Sequence, residues 1–335
     1  MNYRVWSEFL PYEEAADAHV LRLLSRWKVT PHIAVKHDAD LDGLANVLQA
    51  AASFGVSVWL WPLLSHHDGY WANESNVATW SSEVHSVLHF LEGAGTPPAG
   101  IAVDLEPPIE LVTPWTRTLP FGEIATLIAR NLDASRFAQA ERDWQRVAND
   151  LTKRGYATLA ITTPAAAHDL RDGKPVWQDL LETPWSGVGW GVKGVMAYNS
   201  MIAGYSRGLL TIEDARAMHH RLLIRLSRAF GPDAHVSLGV TGAGVLGDEV
   251  AYASPTELLA DVAAARHAGI QDIGLFCLEG VLDRPDPDAW FEAFTSQSSA
   301  PPPTSWKTPL VRSAAWTARR LALSVRALEI FAEIP

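Results

Sequence analysis

Ala99-Gly-Ile-Ala-Val-Asp104-Leu-Glu106-Pro-Pro108 is an apolar run that ends in two carboxylates spaced i, i+2 and is stopped by two prolines. A short continuous apolar run of this kind reads as a strand buried on both faces of a parallel sheet. Seven further runs share its character: Tyr3–Leu10, His32–His37, Val56–Leu63, Ala157–Thr163, Gly194–Tyr198, His235–Val240 and Asp272–Leu278. Helical patterns lie between them. Leu41, Leu44, Val47, Leu48 and Ala51 form one apolar stripe that stops at Gly55, just before a strand. Further helices are expected over roughly 122–154, ending at Gly155, and from Thr211 to Phe230, ending at Gly231-Pro232. Ser254-Pro-Thr-Glu257 reads as an N-cap, a proline in the first helical position and a capping-box glutamate, and Asp286-Pro287 opens another helix. Eight strands alternating with helices predict an α/β fold, a closed (β/α)8 TIM barrel. A doubly wound open sheet is the runner-up, but no G-x-G-x-x-G follows any strand.

Residues 1–295 are expected to form the barrel. The stretch 296–312 is a Pro- and Ser-rich linker, and 313–335 a C-terminal amphipathic helix carrying Arg319, Arg320 and Arg326. That helix is expected to dock on the barrel or on a partner subunit, which leaves a homodimer through it open.

The 335 residues are 48% hydrophobic, enough for a substantial core, and carry a net charge of −11. That balance argues against a nucleic-acid groove, which needs clustered Lys and Arg, and fits a neutral or cationic ligand. The lone cysteine, Cys277, rules out an internal disulfide framework, and its apolar neighbours mark it as a small buried hydrophobe. No run is long enough for a membrane span. No basic n-region and apolar h-region open the chain, so a soluble cytoplasmic protein is expected. Tryptophan is the outlier at 14 copies. Trp59, Trp61, Trp71, Trp115, Trp185 and Trp190 fall beside strand ends or in loops; single indoles are ordinarily packing residues, but as a group they suit a cleft for sugar rings.

In characterised barrels of this kind the active site lies at the C-terminal ends of the strands. Asp104 and Glu106 share a strand face, and burying two carboxylates together pushes one pKa upward, as a general acid working near neutral pH requires. Hydrogen bonds to backbone N–H groups or a cation would explain such a pair equally well. The other strand ends contribute His37, Asp38 and Asp40, then Ser65-His66-His67-Asp68, Thr162 and Thr163, Met196-Ala-Tyr198-Asn199, Thr241 and Glu279.

Gly100-Ile-Ala-Val-Asp104-Leu-Glu106-Pro107 resembles the end of the strand-four signature of family-18 glycoside hydrolases, the chitinases and endo-β-N-acetylglucosaminidases. Val195-Met-Ala-Tyr198-Asn199 is similar to that family's Met-x-Tyr-Asp motif on strand six. Ala99 and Ala102 stand where the family has two further aspartates, Asn199 where it has Asp, and strand eight shows Phe276 and Glu279 rather than the family's Trp. The resemblance implies a retaining, substrate-assisted glycoside hydrolase that needs no cofactor and no metal. Glu106 would protonate the glycosidic oxygen while the substrate's own 2-acetamido carbonyl attacks the anomeric carbon. Asp104 would orient the acetamido N–H, and Tyr198 and Asn199 would position the substrate. His37, Asp38, Trp59, Trp61, His66 and Glu279 are the expected subsite contacts. Without an acetamido group, Glu106 and Glu279 could instead act as an acid and nucleophile pair. Two other readings stay open: a metal-dependent sugar isomerase or epimerase built on the His, Asp and Glu side chains at the barrel mouth, and a sugar-binding barrel that has lost activity.

Overall fold

The computed structural model describes residues 1–110, 131–311, 313, 316–317, 319–320 and 322–323. Eight parallel strands close on themselves in sequence order: β1 (Asn2–Ser7), β2 (Val29–Val35), β3 (Trp59–Pro62), β4 (Gly100–Leu105), β5 (Ala157–Thr162), β6 (Val192–Ala197), β7 (Ala234–Gly239) and β8 (Asp272–Phe276). This is the (β/α)8 barrel that the alternation predicts. All eight strands fall where the apolar runs lie, with ends displaced by a few residues. β1 stops at Ser7 rather than Leu10 because the Phe9 and Leu10 N–H groups turn away to the Glu279 carboxylate. β2 begins earlier than expected, at Val29, and takes Pro31 into its ladder opposite Val5.

Alternation along each strand separates two cores. Val5, Ile33, Leu60, Ile101, Val103, Val195, Val236 and Ile273 face outward and pack under the surrounding helices. Trp6, Ala34, Trp61, Ala102, Ile161, Met196 and Phe276 face the barrel axis. The bottom of the axis is filled by a charged plug. Arg4 grips Asp272 with both arms, Nε to Oδ1 at 2.7 Å and a terminal N–H to Oδ2 at 2.9 Å, and the His235 Nδ1–H donates to the same Oδ1 at 2.7 Å. Burial alone would raise the Asp272 pKa, but His235 and Arg4 override it and hold the carboxyl well below its usual range. Trp59 belongs to this plug: its ring stacks on His32 with centroids 5.3 Å apart, and the Arg4 guanidinium lies 4.3 Å over it. Gly100 is what lets the plug close, since a Cβ there would meet the Trp59 ring and the Ala157 carbonyl at 2.7 Å.

The outer helices begin and end where the sequence marks them. Leu41–Ser53 runs into Gly55 at φ +68°. Ile212–Phe230 opens on a reciprocal Thr211–Asp214 capping box. Pro255–His267 departs from expectation: the Ser254 side chain caps nothing, and Glu257 reaches one residue further back to the Ala253 N–H at 2.7 Å. Asp286 caps Pro287–Phe294 through the Ala289 N–H. The helix expected over 122–154 is described only from Ala134 to Lys153, and its earlier part lies outside the described residues.

Past the barrel, Ser305 and Lys307 both bind Asp214, at 2.6 and 2.7 Å, and Arg319 pairs with Asp172 at 2.6 Å. Ala322 packs with Leu132, Val176 and Leu180. The described part of the tail thus lies on the barrel, while most of 313–335 lies outside the described residues. No helix among the described residues is long and apolar enough to cross a membrane.

Candidate active site

At the C-terminal mouth of the barrel lies a cavity of about 370 Å³. Trp6, Trp61, Trp71, Tyr198 and Phe276 form much of its wall, and Glu8, Asp104, Glu106 and Glu249 supply its charge. Asp104 is the last inward-facing residue of β4, and Glu106 follows two positions later beyond the strand end, where the Glu106 N–H donates to the Ala72 carbonyl at 3.1 Å. Their i, i+2 spacing brings both to this cavity.

The pair has little to hold its charge. Asp104 is 5% exposed, and its Oδ1 has no hydrogen-bond partner among the described residues. Burial, then the charges of Glu106 and Glu8, push its pKa well above the ordinary carboxylate range. Burial, then Glu8 and Glu249, raise the Glu106 pKa to about 8. Glu106 is therefore protonated near neutral pH, the state a general acid needs. Tyr198 sits above Phe276 with ring centroids 5.7 Å apart, and its hydroxyl lies 3.3 Å from Ser237 Oγ. Burial and the nearby Asp104 and Glu106 charges keep that phenol protonated, a hydrogen-bond donor inside the cavity.

The remaining sequence-predicted residues are dispersed. Trp61 lines the cavity, whereas Trp59 lies in the plug below. Asn199 is buried behind the wall, where its Oδ1 accepts from the His219 Nδ1–H at 2.7 Å and its amide also bonds Asp261. His37 is exposed and pairs with Glu83 at 2.7 Å. Asp38 is exposed beside it. His66 stacks on Tyr70 with centroids 4.8 Å apart and faces a separate shallow hollow with His67. Glu279 turns toward the β1 exit: its Oε1 accepts from Ser7 Oγ at 3.0 Å, the Phe9 N–H at 2.6 Å and the Leu10 N–H at 2.9 Å. Among the tryptophans, Trp71 joins Trp61 in the wall, Trp185 and Trp190 are packing residues, and Trp115 lies outside the described residues. Among the described residues no three His, Cys, Asp or Glu side chains converge as a metal-binding group.

Two carboxylates of the cavity escaped the sequence reading. Glu8 continues the inward alternation Arg4, Trp6, Glu8 one step past β1, a signal present in the sequence. It is 6% exposed, and the Tyr70 hydroxyl donates to its Oε1 at 2.6 Å. Burial raises its pKa to about 7, against the opposing pull of Tyr70 and Lys36. Glu249 lies in the loop after β7, where no strand period places a side chain.

No family model matches the chain, and no curated protein matches it. Solved structures do. The PgaB (BpsB) glycoside hydrolase domain from Bordetella bronchiseptica is 15% identical, with a TM-score of 0.52, and the match covers 89% of this chain and 100% of that one. An endo-β-1,4-mannanase from Thermotoga petrophila is 10% identical with a TM-score of 0.53, over 95% of this chain and 77% of its own. The catalytic domain of β-amylase from Paenibacillus polymyxa is 8% identical with a TM-score of 0.51, over 89% and 99%. At such identities the likeness is one of fold: these are glycoside hydrolase barrels, and the chain shares their architecture.

Proposed function

We propose that this chain is a glycoside hydrolase that cleaves next to a 2-acetamido sugar by a retaining, substrate-assisted route. One observation carries the reading: Asp104 and Glu106 lie together in an aromatic-walled cavity at the barrel mouth, with Glu106 protonated near neutral pH. Glu106 gives its proton to the glycosidic oxygen as the bond from that oxygen to the anomeric carbon breaks. The acetamido carbonyl oxygen closes on the same carbon from the other face, giving a cyclic oxazolinium. Glu106, now a carboxylate, takes a proton from the water that opens the ring, so configuration is retained. A carboxyl oxygen of Asp104 accepts from the acetamido N–H. The Tyr198 hydroxyl donates to the acetamido oxygen. Trp61 and Trp71 offer flat faces to the sugar rings.

The motifs on β4 and β6 and the glycosidases among the similar folds support this class of reaction. Asn199 drops out as a substrate contact in this scheme, because its amide is engaged with His219 and Asp261; it fixes the chain segment after Tyr198. The alternative acid and nucleophile pair with Glu279 is disfavoured by the three donors on Glu279 Oε1. The isomerase reading is disfavoured by the dispersal of His37 and His66 away from Asp104 and Glu106.

Assay of Glu106→Gln against β-N-acetylglucosaminides and β-glucosides tests the proposal. Loss of a positioned general acid lowers turnover by about 10²–10⁴-fold, and only the acetamido substrates should be cleaved by the unmodified protein. Binding without cleavage across both sets would make the chain a sugar-binding barrel instead.

A further inference from the structure

The reaction proposed above uses two of the four carboxylates in the cavity, and Glu8 and Glu249 are left over. No lysine, arginine or histidine is among the described residues lining it. The nearest balancing charge on Glu8 is Lys36, whose Nζ sits 4.0 Å over the Phe9 ring rather than in the cavity. The two spare carboxylates converge although they lie far apart in the sequence: Glu249 Oε1 and Glu8 Oε2 lie 2.9 and 3.2 Å from the one point where a Cβ on Gly244 would stand.

Both retain open acceptors. Glu8 Oε2 has no hydrogen-bond partner among the described residues, its Oε1 being the atom that receives Tyr70. Glu249 Oε1 takes only the Leu246 N–H, at 3.3 Å, and its Oε2 is buried and unpartnered. Asp104, which also lines the cavity and is 5% exposed, has an equally unpartnered Oδ1. Buried acceptors in this number, with no cationic side chain among the described residues beside them, call for a donor-rich ligand. A fully acetylated sugar supplies hydroxyl and amide donors but no charge. A protonated amine supplies three donors and a positive charge, and the faces of Trp6 and Trp61 attract a cation as well.

We propose that Glu8 and Glu249 form a subsite for the protonated primary amine of a 2-amino sugar, so that the substrate is a partly deacetylated chain of amino sugars. The residue cleaved at Glu106 keeps its acetamido group, and a neighbouring residue presents the ammonium. The assignment rests on the glycosidase reading for the identity of the ligand as a saccharide, but binding tests it apart from turnover.

Titration calorimetry at pH 7, where about half of Glu8 is ionised, compares a half-deacetylated chitotetraose with the fully acetylated tetramer on the full chain carrying Glu106→Gln. The half-deacetylated ligand should bind at least about tenfold more tightly, with affinity that falls as NaCl rises. Adding Glu249→Gln, or separately Glu8→Gln, should reduce that preference to near unity. Equal affinity for the two ligands, or a preference that survives both substitutions, overturns the subsite. If the preference holds while the unmodified protein cleaves neither ligand, the subsite stands and the hydrolase reading falls. Cleavage of the acetylated tetramer without any preference overturns the subsite and leaves the hydrolase reading in place.

Discussion

The Tyr70 hydroxyl donates a 2.6 Å hydrogen bond to Glu8 Oε1, from a residue held at φ +65° in the loop after β3. A non-glycine residue in that region is uncommon, and the surrounding turn holds it there through the Tyr70 N–H to Ser65 carbonyl bond at 3.0 Å. The bond favours the ionised form of Glu8, so it opposes the burial that lifts this group to about 7. Tyr70→Phe should therefore raise the Glu8 pKa further, read by carbon NMR of the side-chain carboxyls. The accompanying stability loss should be small at pH 5, where Glu8 is protonated in both proteins. It should grow toward about 1.5–3 kcal/mol above pH 7, where a charged acceptor loses its donor. An unmoved Glu8 titration would mean that burial alone sets it.

Glu8 and Glu106 share one sign of linkage. Their folded pKa values, about 7 and about 8, stand above the ordinary 4.5, so the folded protein binds more protons than the unfolded chain between about pH 5 and 8. Stability contributed by these groups is complete below the unfolded value and declines as pH rises through that window. The melting temperature should fall from pH 5 to pH 8, and Glu106→Gln should flatten the fall. Turnover should follow the same proton: level below about pH 8 and declining above it, because the acid form of Glu106 is the working one. Activity that keeps rising above pH 8.5 would remove Glu106 from the acid role.

The barrel was legible because every strand is buried on both faces, and continuous Val-, Ile- and Leu-rich runs have few other uses. The candidate site was legible where it lies at strand ends: the i, i+2 spacing of Asp104 and Glu106 at the end of β4, and Tyr198 one residue past β6. It was not legible where loops decide. Glu249 and Trp71 reach the cavity through loop paths that no period encodes. Asn199, next to Tyr198 in sequence, is turned into the wall by the helix Asn199–Tyr205 that starts there. Trp59 and Trp61 share a strand face but occupy different layers of the axis, and the depth of a layer depends on barrel closure rather than on β3 alone. Glu279 follows the end of β8 by three residues, yet an eighth strand must seal against the first, and the Glu279 carboxylate does so.

That seal has its own test. Glu279→Gln keeps an acceptor oxygen for the Phe9 and Leu10 N–H groups, so it should fold and retain activity within about tenfold. Glu279→Ala leaves the Leu10 N–H without its partner beside Glu8 and should cost about 1–3 kcal/mol in urea unfolding. If Glu279→Gln instead lost activity by the 10²–10⁴-fold expected of a catalytic carboxylate while remaining folded, Glu279 would be the nucleophile and substrate assistance would fail.

The approach of β8's exit to the loop after β7 depends on Gly280. A Cβ there would stand 2.4 Å from the Gly242 nitrogen and from the Thr241 carbonyl carbon, backbone atoms that cannot swing aside like a side-chain tip. Thr241 is further fixed by donating its Oγ1–H to the Cys277 carbonyl at 2.6 Å and by its N–H to the Phe276 carbonyl at 2.8 Å. Gly280→Ala must therefore push the 241–249 segment away from β8, the segment that carries Gly244 and Glu249. It should destabilise the protein by about 1–3 kcal/mol, as overpacking does. It should also weaken binding of amine-bearing sugars more than of acetylated ones, because Glu249 moves while Asp104, Glu106 and Tyr198 stay at the ends of β4 and β6. An equal loss for both ligands in calorimetry would show instead that the 241–249 segment supports the whole cavity and not the ammonium subsite alone.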